Sequence, residues 1–149
     1  MATEIHIFSE TLLNGEWTAD KADSYSEGPA NKFGWFEATM NNVDCPKKPW
    51  LYGLLVDEVR FTWPWSFHEK GLPEDASPQV KQISKSWGID GYAHSHLTLQ
   101  ELYEKSIELL IDPREEAKEL QEYLGQLIAA IPATSDNLDE HRIVFWFDN

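Results

Sequence analysis

The sequence predicts an α+β fold in a single domain over residues 1–149. It combines a small, mostly antiparallel sheet of strands from the two chain ends with packing helices from the second half. Three observations lead there. Arg142 to Phe147 reads Arg-Ile-Val-Phe-Trp-Phe, a β-branched and aromatic run typical of a strand covered on both faces. Glu4 to Glu10 alternates, with Ile5 and Ile7 on one side and Glu4, His6 and Phe8 on the other. Between Thr98 and Ile131 apolar residues recur at helical spacing behind recognisable start signals.

Asn14-Gly15 is a strong turn dipeptide, and Glu16-Trp17-Thr18 can return as a second strand beside the first. Thr18 to Asn31 is polar and reads as an exposed excursion. Phe33 to Met40 fits a short strand, and Asn41 to Pro49 a loop. In Trp50 to Arg60, Leu51, Leu54, Leu55 and Val59 favour a buried helix, with Gly53, Val56 and Val59 leaving a strand as the alternative. Phe61 to Pro73 carries Phe61, Trp63, Trp65 and Phe67 between prolines. It is either a loop pinned over the core or an exposed aromatic patch in which Trp63 and Trp65 bind a partner. Ser77-Pro78 starts a short helix to about Ser86.

Trp87 to Leu102 holds the densest chemistry. Gly88 and Gly91 bracket Ile89-Asp90, and Tyr92, His94, Ser95 and His96 follow in what reads as a turn. Thr98 and Glu101 form a capping box for a helix to Ile111. The backbone donors gathered at that helix start favour an anion. His94 and His96, two apart, point to one side of extended chain, and with Asp90 they make three candidate ligands for a divalent metal. The plainer reading is that histidines in a polar turn hydrogen-bond locally and no cofactor is held.

Asp112-Pro113-Arg114-Glu115 reads as a second start, with Asp112 as cap and Pro113 at the first helical position. Ala117, Leu120, Leu124, Leu127, Ile128 and Ile131 then form a long apolar stripe, ended by Pro132. The opposite face carries Glu115, Glu116, Glu119 and Glu122, read either as solvated surface or as an acidic binding face. Ala133 to Glu140 is a polar linker. If the last strand pairs with the first, Asp148 falls near His6 or the central turn.

Twenty-six acidic against twelve basic residues give a formal charge of −14. That field disfavours nucleic acid and anionic membrane and favours basic partners. A lone cysteine, Cys45, leaves no internal disulfide and fits a reducing cytoplasm. No apolar run approaches a membrane span, and no basic-then-apolar leader opens the chain.

Five blocks together resemble a family of small uncharacterised proteins of phages and prophages. They are Glu4-Ile5-His6 with Asn14-Gly15-Glu16-Trp17; Trp50 to Arg60; Gly71-Leu72-Pro73-Glu74-Asp75-Ala76-Ser77-Pro78; Trp87 to Leu102; and Arg142 to Asn149. The resemblance implies a phage source and the cytoplasm of an infected bacterial host, but no activity. This chain departs from the family pattern at Ala2-Thr3-Glu4, where relatives carry Gly-Cys-Asp. It departs again at Tyr92, where relatives carry a histidine. Asp90, His94, His6 and Asp148 stand at matching positions.

Two functions follow as expectations. The first is an acidic interaction protein that inhibits a host factor, of anti-CRISPR or other anti-defence type. Its target would be a basic, nucleic-acid-handling protein, with binding through Trp63, Trp65, Glu115, Glu116, Glu119 and Glu122. The alternative is a small metal- or nucleotide-binding hydrolase using His6, Asp90, His94 and Asp148 as catalytic groups. No phosphate loop, nucleophile elbow or paired-cysteine zinc pattern is present, and nothing specific speaks for a virion component.

Overall fold

In a computed structural model, residues 3–20, 43, 45–57, 59, 61–133 and 136–149 are described. The first strand, β1, runs Glu4–Leu13 and turns through Asn14 and Gly15 into β2, Glu16–Ala19. Both turn residues have positive φ, 52° and 81°. A two-residue hairpin of the type that matches strand twist requires this, and Asn-Gly supplies it with little strain. Helix α1, Pro49–Leu55, begins with proline and stops where Val56 turns extended, so it covers only the first part of the apolar stretch to Arg60. The expected excursion and strand between Thr18 and Met40 lie almost wholly outside the described residues.

Helix α2, Pro78–Trp87, is capped by the Ser77 side chain, which accepts from the Val80 N–H at 3.3 Å. A single 3-10 turn, Gly88–Asp90, leads into β3, Tyr92–Thr98. Helices α3, Leu99–Ile111, and α4, Glu115–Ala130, follow as an antiparallel pair. After a 3-10 turn at Leu138–Glu140, strand β4, His141–Asp148, completes the fold.

The sheet is antiparallel throughout with order β2-β1-β4-β3, so the first and last strands lie side by side at its centre. Their register pairs Glu4 with Asp148, His6 with Trp146 and Glu10 with Arg142. The α+β class expected from the sequence is the class observed. Two faces result from the period of two along each strand. One carries Ile7, Leu97, Ile143, Phe145 and Phe147 against α1, α3 and α4, so a first-half helix joins the second-half pair. The other carries Phe8, Val144 and Trp146 against Ala76 and α2, through Val80 and Ile83.

Two local expectations change. The segment after Gly91 is an edge strand, not a turn, because its backbone pairs with β4 from Tyr92 to Thr98. Asp112 does not cap α4, whose first flanking residue is Arg114. The Asp112 carboxylate instead accepts from the Arg114 backbone N–H at 3.0 Å and from the guanidinium at 3.0 and 2.8 Å. It also receives the Trp65 indole N–H at 3.1 Å. These hydrogen bonds, led by the Arg114 side chain, hold its carboxyl far below the usual range.

Candidate functional site

The α2-facing side of the sheet gathers most of the chemistry-bearing residues. On β1, His6, Phe8 and Glu10 point to it. On β4, Arg142, Val144, Trp146 and Asp148 do so. The Glu10 carboxylate, fully buried, accepts from Arg142 Nε at 2.7 Å and from the Ser77 backbone N–H at 2.7 Å. Arg142 also donates to Asp75 at 3.0 Å, and its guanidinium lies 4.0 Å from the centre of the Trp17 ring. This network ties α2 to the sheet centre, and neither Glu10 nor Arg142 stood out in the sequence.

At the other end of the same face, His6 Nε2 and Asp148 Oδ2 are hydrogen-bonded. With Nε2 as donor, the carboxylate fixes the ring and leaves Nδ1 as an acceptor. The His6 ring lies 4.3 Å from that of Trp87 and 6.3 Å from that of Trp146. His94 stacks on Trp146 at 5.6 Å. Its position follows from an irregularity in β3. The ladder slips by one residue between Tyr92 and Ser95, and Ala93 adopts φ of 53°, where a side chain is strained. Gly91 sits close against this cluster. A Cβ on it would stand 3.3 Å from both Trp146 Cδ1 and Trp87 Cβ, and 3.6 Å from His94 Cε1. The buried Trp146 indole N–H finds no acceptor among the described residues.

Asp90, His94 and His96 are not assembled into a metal site. Asp90 is exposed in the 3-10 turn, whereas both histidines lie in the strand beyond it. Burial lowers the His96 pKa, and the neighbouring Lys70 and Arg142 charges lower it further, against opposition from Glu101 and Asp75. Those two cations also oppose a metal there. Among the described residues no three His, Cys, Asp or Glu side chains converge to hold one. The start of α3 is filled as well. Thr98 accepts from the Glu101 N–H at 3.1 Å, and Glu101 accepts from the Thr98 N–H at 3.0 Å and from Lys70 at 2.7 Å. Burial raises the Glu101 pKa, but the hydrogen bonds from Lys70 and Thr98 outweigh it and leave the carboxyl below its ordinary value. The anion favoured at this helix start is therefore the chain's own carboxylate.

Burial also lowers the His94 pKa from 6.5, against a raising influence from Glu69. Both histidines thus bind protons more weakly folded than unfolded. The unfolded chain takes up more protons as pH falls through about 6.5, so their contribution is full above that value and declines below it. We expect the Tm to fall between about pH 7.5 and about pH 5.5, and the slope to be shallower in a His94→Gln, His96→Gln variant. Thermal melts across that range check this. An identical slope in the variant would assign the dependence to other groups.

The expected binding residues divide. Trp65 is buried at 4 % exposure, with Arg114 over its ring at 4.5 Å, and it belongs to the core. Trp63 is half-buried, packs at 5.4 Å on Trp50 and donates its indole N–H to the Trp50 carbonyl at 3.2 Å. The aromatic segment is therefore a strap over the core, as large apolar rings favour burial when a layer is available. Glu115, Glu116, Glu119 and Glu122 all lie exposed on α4, outside its buried stripe of Ala117, Leu120, Leu124, Leu127 and Ile128. Beside them, α3 exposes Tyr103, Ile107, Leu110 and Ile111, a second apolar row not anticipated from the sequence. The signal was present as apolar residues at spacings of four, three and one.

Among the described residues no helix is long and apolar enough to cross a membrane. Comparison with known protein families, with curated proteins and with solved structures gives no match.

Proposed function

We propose that this protein acts by contact: it is an acidic interaction protein that binds a basic host protein and inhibits it. In the phage setting implied by the resemblance, the target is a bacterial defence component that handles nucleic acid. The observation that carries this reading is the exposed carboxylate row of α4, in a chain of net charge −14. Such a row competes with phosphates for a basic groove and speeds encounter with it. The test is capture of host proteins from bacterial lysate on the tagged chain at moderate salt, read by mass spectrometry. One protein retained near stoichiometrically is the expected result, and no partner across several lysates contradicts the reading.

The second reading is a small hydrolase with His6 as general base, and one observation favours it. Residues 142 positions apart meet as a hydrogen-bonded His6–Asp148 pair beside an indole N–H lacking an acceptor among the described residues. A chain that captures no partner returns the argument to this pair.

A further inference from the structure

Helix α3 is apolar on two sides. Leu99, Leu102 and Leu109 are buried in the core. Tyr103, Ile107, Leu110 and Ile111 are 42, 59, 68 and 78 % exposed. At 3.6 residues per turn these four fall within an arc of roughly 100°, and they extend about 12 Å along the helix. The other large apolar side chains exposed among the described residues, Leu13, Phe61 and Ile89, lie singly at a strand end, a loop and a turn. A surface helix needs only one apolar stripe, and a contiguous exposed row marks a contact surface.

Two carboxylates border the row on one side. Glu104 and Glu108 continue around the helix from Ile111. Lys105 is turned away, paired with Glu108 at 2.8 Å and lying 4.9 Å from the Phe67 ring centre. The last turn of α3 has no basic residue. Across the helix pair, joined by a Gln121 to Ser106 hydrogen bond of 3.5 Å, α4 exposes Lys118 and Glu122 on either side of Gln121 in sequence.

We propose that the outer face of α3 is the apolar centre of the binding surface, and that it receives an amphipathic helix of the partner whose apolar row is flanked by Lys and Arg. This rests on the interaction reading above and names the partner's chemistry. A ridge of side chains at helical spacing packs into the grooves of another helix. The Glu104 and Glu108 carboxylates, in a chain of net charge −14, select cations along that flank. A second copy of this chain is a poor occupant, because two chains of net charge −14 repel each other.

The test uses three synthetic helical peptides, fluorescently labelled and read by anisotropy: a Leu/Lys amphipathic helix, an Ala/Lys peptide of equal charge, and a Leu/Glu peptide of equal apolar pattern. The full chain is expected to bind the Leu/Lys peptide at least about tenfold more tightly than either control. Ile107→Gln with Leu110→Gln should weaken that binding about tenfold or more, while thermal melts show the fold retained. Gln is a good helix former and both sites are exposed. Ile107→Ala alone serves as a milder second variant.

Equal binding of the Ala/Lys or Leu/Glu peptide, or binding unchanged in the variants, overturns the proposal. So does a wild-type dimer in sedimentation that the double variant dissociates, since the occupant is then a second copy. The two readings fail separately. A lysate partner captured equally by wild type and the Gln variant removes this surface and leaves the interaction reading. Selective peptide binding with no lysate partner does the reverse.

Discussion

Gly53→Ala is expected to destabilise the protein by about 2 kcal/mol or more, the opposite of what helix propensity predicts. Gly53 lies inside α1, where alanine is ordinarily favoured by about 1 kcal/mol. Here the strap formed by Phe61 to Phe67 crosses the helix backbone at very close range. Ser66 donates to the Gly53 carbonyl at 2.7 Å, and the Phe67 N–H donates to Leu54 at 2.8 Å. A Cβ on Gly53 would stand 2.1 Å from the Phe61 carbonyl oxygen and 2.8 Å from its carbon. Both are backbone atoms, so relief requires moving the strap that seats Trp63 and Trp65 against the core. Thermal unfolding and tryptophan fluorescence should change together. A Tm equal to or above that of the wild type would show that the strap does not approach the helix this closely.

The second large effect is expected from Glu10→Ala. Removing this carboxylate leaves the buried Arg142 guanidinium with Asp75 as its remaining carboxylate partner, and leaves the Ser77 N–H without its acceptor. Breaking a buried charge pair from one side costs about 3–5 kcal/mol, a Tm fall of roughly 10 °C at this chain length. The double replacement Glu10→Met with Arg142→Met should recover much of that loss, because no buried charge is then left unpaired. A cost below about 1 kcal/mol for Glu10→Ala would mean that the pair is solvated or replaceable.

How far the sequence led depends on whether each element is decided locally. The Asn14-Gly15 hairpin, the Ser77 cap, the Thr98–Glu101 box and the buried face of α4 are short-range features, and each is found where its residues place it. Strand β4 was legible because a continuous β-branched and aromatic run has few other places to go. Strand β3 was hidden. His94, His96 and Thr98 alternate with Ser95 and Leu97, but polar residues on both sides blur the period, and two glycines advertise a turn. What makes it a strand is pairing with β4, some fifty residues away, which no local pattern encodes. The cap expected at Asp112 failed for a similar reason. Trp65 and Arg114 compete for its carboxylate, and Trp65 arrives from a distant loop.

The candidate residues follow the same logic. His6 and Asp148 could be set side by side only as a possibility, since the register of β1 on β4 was needed to join them. Glu10 and Arg142 became a pair through that same register. The Glu115 to Glu122 row was readable because it is the complement of the apolar stripe on one helix. The exposed row on α3 was missed because Leu99 and Leu102 already accounted for its apolar content.

The most direct test of the interaction account is lysate capture with the wild-type chain beside a variant carrying Lys at positions 115, 116, 119 and 122. Circular dichroism would confirm helix content in both, and a Gln version would separate lost charge from reversed charge. The account predicts one basic host protein retained near stoichiometrically by the wild type, reduced on the Gln version and absent from the Lys version. Equal retention on all three baits would contradict it, since the acidic face of α4 would then have no part in binding.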